Sequence, residues 1–418
     1  MTQATARRPV TGYAWEIVAL LWLAYFLNQA DRQIFGVTLT LIRAEFGLDD
    51  THMGLVATTF TVVFGLLVPV AGVLGDRLRR EYVVVLSLVV FSAGTLLTGW
   101  ASGLLTLLLF RGVATGVGEA LYAPAANTLI AQHHEATRTR ALSIHQTANY
   151  TGVVVGSLCA GWVADLYGWR ASFAAFGTVG LLWAGVLLAR ARRGPTLPSE
   201  PIMVPEGQRV GGTVEALRLI ATTPALAVQM VGFSGLVFVL VGYLTWMPTI
   251  LTERFGLSLS EAGFQAVFLH HVLGYCGLLV TGWASDRWLL QRPTLRLMSM
   301  GGALMLSSPW IWLSGAGASP QTVYLALGLF GLLRGIYDAN LYAAIFDYVP
   351  DRLRATVASW IVAFAYLVGA VAPTAMGALK QYYGISAGMN MLAAVALGTG
   401  MTVVGTMIVA LRSGRPER

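Results

Sequence analysis

Long uninterrupted runs of apolar residues set the strongest limit on what this chain can fold into. Hydrophobic residues make up 56% of the 418 residues and charged residues 11%, against about 25% charge in soluble domains. Runs of membrane-spanning length recur along the sequence, since a helix needs about 20 apolar residues to cross a bilayer. A β-barrel would instead alternate apolar and polar residues. The sequence therefore predicts an all-α membrane protein.

The apolar segments divide into twelve predicted transmembrane helices, six on each side of a proline-rich segment. They are predicted at 14–38, 54–75, 82–101, 104–131, 141–164, 171–190, 224–250, 261–283, 295–315, 321–347, 355–380 and 386–411. The segment between the two groups contains Pro195, Pro198, Pro201 and Pro205, and this composition predicts a helix-breaking linker. The predicted domains are an N-terminal six-helix bundle at 1–190, a cytoplasmic linker at 191–223 and a C-terminal six-helix bundle at 224–418.

Positive charge is distributed unevenly between the two sides of the predicted membrane. Arginines cluster in the loops after the even-numbered spans, whereas the loops near 102 and 317 carry no charge. Because positively charged loops stay in the cytoplasm, both termini are predicted to be cytoplasmic, in a multi-pass protein of the cell membrane such as the bacterial inner membrane. The basic residues are dispersed and form no basic domain, which argues against nucleic acid as a partner.

Four short motifs recur in the same order in both halves of the chain. The pairs are 72–77 and 282–287, Arg111-Gly112 and Arg334-Gly335, Arg140-Ala141 and Arg354-Ala355, and Tyr167-Gly168 and Tyr383-Gly384. Repeats of six spans are typical of transporters that work by alternating access, with a binding site between the halves near the bilayer midplane.

The segment after the second span reads GxLxDRxxR, from Gly72 to Arg80. With the twelve spans, the repeat and the central linker, it resembles the major facilitator superfamily over nearly the whole chain. This resemblance implies the major facilitator fold. It also implies a cytoplasmic gate that holds while the carrier is open to the outside, and the alternative is that these residues are only topology signals. The gate residues are Asp76, Arg77, Arg80, Asp286 and Arg287.

Two branches of that superfamily are similar to this chain in the charges of spans one and four. Asp31-Arg32, Arg111 and Glu119 resemble the organic anion:cation symporters, which include carriers of sugar acids and sialic acid. The run GVGEA that contains Glu119 resembles the spinster-like lipid transporters. Arg111 and Glu119 are eight residues apart, one more than is usual in both branches, and a helix irregularity near Gly116 or Gly118 would compensate for the additional residue.

Charged residues inside a membrane span are costly and therefore indicate a functional site. From the helical rise, Asp31 and Arg111 are predicted at similar depth, with Glu119 roughly 12 Å deeper. Burial disfavours a charged carboxylate and a nearby arginine favours it, so an anion that binds the arginine would make the carboxylate take up a proton. The symporter resemblance implies that Asp31 and Glu119 couple protons and that Arg32, with Arg111, binds the anion. The alternative is a set of fixed salt bridges.

Further polar residues inside the predicted spans are candidates for lining a substrate-binding cavity, although each could equally bond a neighbouring helix. These candidates are Gln29, Asn149, Tyr150, Tyr243, His271 and Asn340. Arg334 and Asp338 lie four residues apart on one helix and are expected to pair with each other; the alternative is a functional role, because they too are charges inside a span. No set of Cys, His and carboxylate residues has the spacing of a metal site, so neither a metal nor another cofactor is predicted.

These features favour a secondary active transporter, with proton-coupled symport of a small organic anion, a sugar acid or other carboxylate, as the first hypothesis. The expected partners are the anion, protons and the lipid bilayer, and the chain is expected to act as a monomer. Proton or sodium coupling stays open. The second hypothesis is transport of a lysolipid or other amphipathic lipid, and the third is a membrane sensor on a transporter scaffold. The sequence offers no nucleophile–base set, so an enzyme is not predicted.

Overall fold

The computed structural model describes residues 12–134, 137–193, 206–288, 292–350 and 353–412. Within these ranges the side chains of residues 72–77, 138–139, 206–211, 285–288 and 355 are not described. The described residues are nearly all helical and contain no β-strand, which confirms the predicted all-α class.

The N-terminal half contains seven α-helices and one π-helical segment among its described residues. They are α1 (Gly12–Phe46), α2 (Asp50–Arg77), α3 (Arg80–Thr98), α4 (Leu104–Leu107), the π segment (Leu108–Ala114), α5 (Thr115–His133), α6 (Arg138–Tyr167) and α7 (Trp169–Arg193). The π segment joins α4 and α5 without a break. These three elements therefore form one long rod. Near its start the helix changes from α to π geometry and then returns to α geometry.

The C-terminal half repeats this arrangement. It contains α8 (Glu206–Thr222), α9 (Pro224–Phe255), α10 (Leu259–Trp288), α11 (Pro293–Ala316), α12 (Pro320–Phe346), α13 (Arg354–Gly369), α14 (Val371–Tyr383) and α15 (Ile385–Arg412). Three of these helices, α9, α11 and α12, begin with proline, which suits the first helical position because its missing N–H has no partner there anyway. The predicted span at 355–380 is two helices, because α13 and α14 meet at Ala370.

Nine helices among the described residues are long and apolar enough to cross a membrane. Three others, α1, α6 and α11, contain 35, 30 and 24 residues. Two of them carry polar side chains that face the central cavity, Asn28 and Arg32 on α1 and Gln146 and Asn149 on α6. These polar residues make the two helices less apolar than the other spans, and they do so where the helices line the cavity.

The apolar cores show that the two halves join at one end of the bundle and separate at the other. One buried cluster combines residues of both halves, for example Ile34 with Trp246 and Ala372. Towards the opposite end the halves have separate clusters, one around Leu88 and the other around Leu341. We call the end near the α1–α2 turn the closed end, and the end where α8 lies the open end.

Polar contacts between the halves reinforce the closed end. Lys380 on α14 donates to Asp50 at 3.0 Å and to Glu253 at 2.9 Å, and Arg43 on α1 binds the same two carboxylates. The carboxylate of Asp165, at the end of α6, accepts hydrogen bonds from the first backbone amides of α10, at 2.9 and 3.0 Å. Ion pairs and a helix cap therefore join the halves here.

The sequence repeat is visible in the turns of this end. Asp165 stands two residues before Tyr167, and Gln381 two residues before Tyr383. Gln381 accepts a hydrogen bond of 3.0 Å from Thr51 in the first turn of α2, as Asp165 does from the first turn of α10. The glycines that follow the tyrosines have φ of 82° and 83°, a conformation that favours glycine.

The linker differs from the sequence-based expectation in its second part. Residues 206–222 form α8, although the segment 191–223 is predicted to break helices. The prolines end at Pro205, and the next 17 residues contain none. Ala216 and Ile220, one helical turn apart, are buried in the C-terminal apolar cluster, so tertiary packing stabilises this helix.

Candidate functional site

A cavity of about 680 Å³ lies between the two halves, near the middle of the long helices. Cavities of this size accommodate small molecules. The polar lining residues of the N-terminal half lie mostly on α1 and α6 and include Gln29, Arg32 and Asn149, whereas the wall formed by α9 is mainly apolar and includes Phe233 and Val237. The cavity is therefore amphipathic, with charged groups concentrated on one side.

Asp31, the charged residue in the middle of α1, is almost completely buried, with 2% of its surface exposed. Its Oδ2 accepts a hydrogen bond of 3.0 Å from Nη1 of Arg111 in the π segment, and its Oδ1 accepts one of 2.6 Å from the hydroxyl of Thr95 on α3. Asp31 thus joins three helices of the N-terminal half. Buried charges are tolerated when they are paired and hydrogen-bonded in this way.

Arg32, the next residue along α1, forms a second ion pair. Its Nε donates a hydrogen bond to Oε2 of Glu119 on α5. The guanidinium lies over the rings of Phe64 and Phe60 on α2, 4.5 Å and 5.7 Å from their centroids. One fifth of the Arg32 side chain is exposed to the cavity, whereas the side chain of Glu119 is fully buried. Within the N-terminal half, Arg32 is therefore the cation that an entering ligand would meet.

The two pairs form one cluster of four charges with a net charge of zero. Arg111 also donates from Nη2 to the backbone carbonyl of Arg32, at 3.2 Å. Oε1 of Glu119 is buried and has no hydrogen-bond partner among the described residues. A carboxyl oxygen in that situation is a natural position for a proton, because a hydroxyl needs less solvation than a carboxylate.

The π segment explains how Arg111 and Glu119 reach the same neighbour. In an α-helix, with about 100° per residue, side chains seven residues apart lie nearly above one another and side chains eight apart do not. One π turn takes up one additional residue, so the observed separation acts as the shorter one. An irregularity that compensates for the additional residue therefore exists, but it lies at Leu108–Ala114 and includes Arg111, not Gly116 or Gly118.

The C-terminal half has a smaller charged group. Nε of Arg334 on α12 donates to Asp338 on the same helix at 3.0 Å, as the sequence predicts. Nη1 of Arg334 lies 3.1 Å from Nε2 of His270 on α10, and Nδ1 of His270 lies 3.2 Å from the carbonyl of Leu327. Since a carbonyl only accepts, Nδ1 carries the hydrogen and Nε2 accepts from Arg334, which defines a neutral tautomer.

The structure brings most of the predicted site residues to the cavity. Gln29, Arg32, Arg111, Glu119, Asn149, Tyr150 and His271 are among its lining residues. Asp31 stands directly behind Arg111. Tyr150 and His271 meet across the two halves, with their rings edge to face at 6.1 Å.

Two predicted cavity residues lie elsewhere. Tyr243 is fully buried in α9, where its hydroxyl donates to the carbonyl of Ala266 and its ring packs against Phe330. Asn340 is also fully buried, and its amide donates to the carbonyl of Ile336 at 3.0 Å. Tyr243 thus bonds a neighbouring helix, which was its alternative interpretation, whereas this bond of Asn340 lies within its own helix.

Most of the predicted cytoplasmic gate cannot be compared with the structure. The side chains of Asp76, Arg77, Asp286 and Arg287 lie outside the described residues. Arg80 is described, and it is buried at the start of α3. The gate therefore stays a prediction from the motif.

Two buried residues near the site were missed by the sequence reasoning. Thr95 is one threonine among many in apolar helices, so no sequence signal distinguishes it. His145 on α6 is an ionisable residue in a predicted span and could have been noticed. Its ring stacks on Tyr25 at 4.8 Å and its Nε2 lies 3.1 Å from the hydroxyl of Tyr122. Both tyrosines line the cavity.

Known proteins resemble this chain over most of its length. It is 27% identical to the 4-hydroxybenzoate transporter PcaK of Pseudomonas aeruginosa, over 87% of this chain and 86% of that protein. It is 24% identical to the hexuronate transporter of Bacillus subtilis, over 96% and 94% of the two chains. Among solved structures, an inward-facing, unoccupied bacterial homologue of the human lysosomal transporter Spinster matches with a TM-score of 0.77 and 22% identity, over 96% of each chain.

The family model described as Major Facilitator Superfamily matches residues 21–373. That range includes most of α1, the π segment and the cavity residues of both halves. The long apolar helices agree with this match. This chain is therefore a multi-pass membrane transport protein that belongs to the Major Facilitator Superfamily.

Proposed function

We propose that the protein is a secondary active transporter that carries a small organic anion together with a proton. The observation that carries this proposal is the neutral cluster of Asp31, Arg32, Arg111 and Glu119, of which only Arg32 is substantially open to the cavity. An anion that binds the exposed part of Arg32 meets a guanidinium whose charge Glu119 already neutralises through Nε.

Charge balance then favours a proton. Two arginines and two carboxylates sum to zero, so an added anion leaves one uncompensated negative charge in a poorly solvated site, which is costly. Protonation of Glu119 restores neutrality, and the oxygen without a partner can accept the hydrogen. Binding of the anion together with a proton therefore costs less free energy than binding of the anion alone. Arginine suits this role because its planar fork binds carboxylates with two hydrogen bonds.

Two further parts of the proposal concern topology. We propose twelve transmembrane helices, which are α1–α3, the rod of α4 to α5, α6, α7, α9–α12, the pair α13–α14, and α15. We also propose that both termini are cytoplasmic, as the arginine distribution predicts. The open end then faces the cytoplasm, and transport proceeds by rocking of the two halves about the cavity.

The decisive test is uptake by purified protein in proteoliposomes, with 4-hydroxybenzoate and D-glucuronate as radiolabelled probes. A pH gradient, acidic on the side of entry, should drive accumulation of at least one probe. Arg32→Ala should abolish binding of that probe, because it removes the exposed cation. Accumulation that follows a sodium gradient instead would disprove proton coupling, and unchanged affinity in Arg32→Ala would remove Arg32 from the site.

A lipid is the second candidate substrate, favoured by the apolar wall of the cavity. Phe233, Val237, Leu240, Val241 and Leu244 form this wall on α9. A lysolipid could place its chain there and its phosphate on Arg32. Competition separates the two candidates, because lysophosphatidylcholine should displace a bound carboxylate only if it shares the site.

A further inference from the structure

The cavity receives a second arginine from the half opposite to Arg32. Arg334 lines the cavity, and 19% of its side chain is exposed, nearly the same as the 20% of Arg32. Within the described part of the chain, Arg334 is the one charged residue that the C-terminal half contributes to the cavity wall. The other C-terminal lining residues are apolar, aromatic or uncharged polar groups.

The contacts of Arg334 hold its guanidinium in a fixed orientation and leave part of it available. Nε is bound to Asp338, and Nη1 donates to Nε2 of His270. His270 is itself oriented by the carbonyl of Leu327. Nη2 makes no hydrogen bond with the described residues. Arg334 thus resembles Arg32, which is also bound through Nε to one carboxylate on its protein side.

Alternating access gives a physical reason for a contact with the second half. A ligand can shift a conformational equilibrium only by its differential affinity for the two states. An anion bound only to Arg32 would move with the N-terminal half and would bind the two states alike. A ligand that also contacts the C-terminal half links the halves, and its binding then depends on their relative position.

We propose that Arg334 is a second anion-binding point and that the transported ligand bridges Arg32 and Arg334. This inference rests on the proposed function. It specifies the ligand as an organic anion with an oxygen acceptor at each end, of which a dicarboxylate is the strongest case. His270 is a positioning residue, because it orients the guanidinium without facing the cavity.

The test uses two matched pairs of ligands on the full-length protein in nanodiscs, with affinities from isothermal titration calorimetry. Terephthalate and 4-methylbenzoate have the same ring and first carboxylate, and they differ in the second carboxylate. D-Glucarate and D-gluconate differ in the same way. Wild-type protein should bind one of the dicarboxylates about tenfold or more tightly than its monocarboxylate partner, because a hydrogen bond to a charged group contributes strongly.

The informative variant is Arg334→Gln, whose amide can still donate to Asp338. The dicarboxylate preference should disappear, while the affinity for the monocarboxylate stays within about twofold of wild type. A general structural defect would weaken both members of a pair alike. Arg334→Lys keeps the charge and loses the fork, so an intermediate preference is expected, and this variant serves if Arg334→Gln does not fold. Arg254→Gln, at the closed end of the same half, is the control and should keep the preference.

The role of His270 can be measured in the same assay. His270→Leu should reduce the preference for the dicarboxylate, and His270→Asn, which retains an acceptor for Nη1 of Arg334, should restore it. Equal reductions in these two variants would show that His270 only packs.

The possible outcomes separate the inference from the proposed function. If the monocarboxylates bind and the dicarboxylates show no preference, or if Arg334→Gln keeps the preference, the inference is wrong and the anion site at Arg32 stands. If none of the four carboxylates and neither uptake probe binds, the proposed function fails, and the inference fails with it.

Discussion

The two halves of this transporter use charge in different ways on the two sides of one cavity. In the N-terminal half, Asp31 and Arg32 on α1 pair with Arg111 and Glu119 on the facing rod. In the C-terminal half, Arg334 and Asp338 pair within one helical turn. The first arrangement connects separate helices, whereas the second is complete within α12 apart from its contact with His270.

Because of this difference, a proton that binds one carboxylate has different effects in the two halves. A change of charge at Asp31 or Glu119 disturbs a group of four residues that holds α1 against the rod, so its effect spreads to the helix arrangement. A change at Asp338 affects one neighbouring guanidinium that already has a second partner. We therefore expect coupling to be located in the N-terminal half, with the C-terminal half acting on ligand selection.

The largest difference is expected from removing one carboxylate in each half. Asp31→Asn leaves Arg111 buried without a counter-charge, which typically costs about 3–5 kcal/mol. Asp338→Asn breaks a partly exposed pair within one helix, for which we expect below about 1 kcal/mol. Denaturant unfolding in detergent measures both losses. Equal losses would contradict the contrast between the halves.

The same pair of variants distinguishes the halves in transport. Asp31→Asn should abolish proton-driven accumulation and leave counterflow exchange measurable, because exchange needs binding but no net proton movement. Asp338→Asn should retain accumulation. If Asp31→Asn still accumulates substrate against a gradient, Asp31 does not couple protons.

The second prediction concerns the pH dependence of transport. In Glu119→Gln the amide oxygen can still accept a hydrogen bond from Arg32, but the side chain can no longer take up a proton. Exchange rates should therefore lose most of their variation across about pH 5–8, the range in which proton binding to a functional carboxyl matters. Asp338→Asn is the matched control and should keep the wild-type profile. An unaltered profile in Glu119→Gln would assign it a purely structural role.

A smaller effect on stability is expected from the contacts that each half makes with the start of a helix in the other half. Asp165 accepts three hydrogen bonds from the start of α10, whereas Gln381 makes one with Thr51. Asp165→Ala should cost about 1 kcal/mol, as loss of a cap usually does, and Gln381→Ala should cost less. Hydrogen exchange of the first amides of α10 should accelerate in the first variant only. Equal acceleration at the start of α2 in Gln381→Ala would show that the two contacts are equivalent.

The smallest effect on stability is expected at Glu45, near the end of α1. Its hydrogen bonds with Arg170 and then Trp169 hold the pKa of this carboxyl below its usual value of 4.5. Since the folded-state pKa is depressed, the stabilisation is complete above the unfolded pKa and is lost as the pH falls through the folded one. Glu45→Gln should thus lower the melting temperature slightly at pH 7, and the difference from wild type should be smaller near about pH 3.

Its counterpart in the other half provides the control. Arg254 donates to the carbonyls of Gly315 and Ala316, which do not titrate. The small destabilisation by Arg254→Gln should consequently be the same at both pH values. A pH-dependent difference in this variant would mean that the titrating group lies elsewhere.

The helical class and the position of the N-terminal charges were predictable because their signals are strong. Continuous apolar runs indicate spanning helices, and an ionisable pair within such a run has few structural explanations. Counting residues along a regular helix also placed Arg111 near the depth of Asp31. The site of the pitch change was not predictable in this way, because counting residues assumes a regular helix.

The errors involve residues whose chemistry allows two environments. Tyr243 and Asn340 can each satisfy their polar atoms on a backbone carbonyl, and the sequence does not show which helix face points to the cavity. The helix at 206–222 was missed because the prolines before it dominate the composition of the linker. For Tyr243 and for the helix at 206–222 a tertiary contact, which no local pattern encodes, decided the outcome, whereas Asn340 bonds a carbonyl of its own helix.

The ion cluster at the closed end has a practical consequence. Lys380 is the only lysine in the sequence, and its ammonium is held between Asp50 and Glu253 from different halves. When the halves part, the ammonium loses its contact with Asp50 and keeps only Glu253, which belongs to the same half. Amine acylation at this one side chain should therefore be faster once the halves have parted. The rate at which a mild acylating reagent adds mass to the peptide containing Lys380 is therefore a measure of how often the closed end opens. It needs no engineered probe, and added substrate should change this rate.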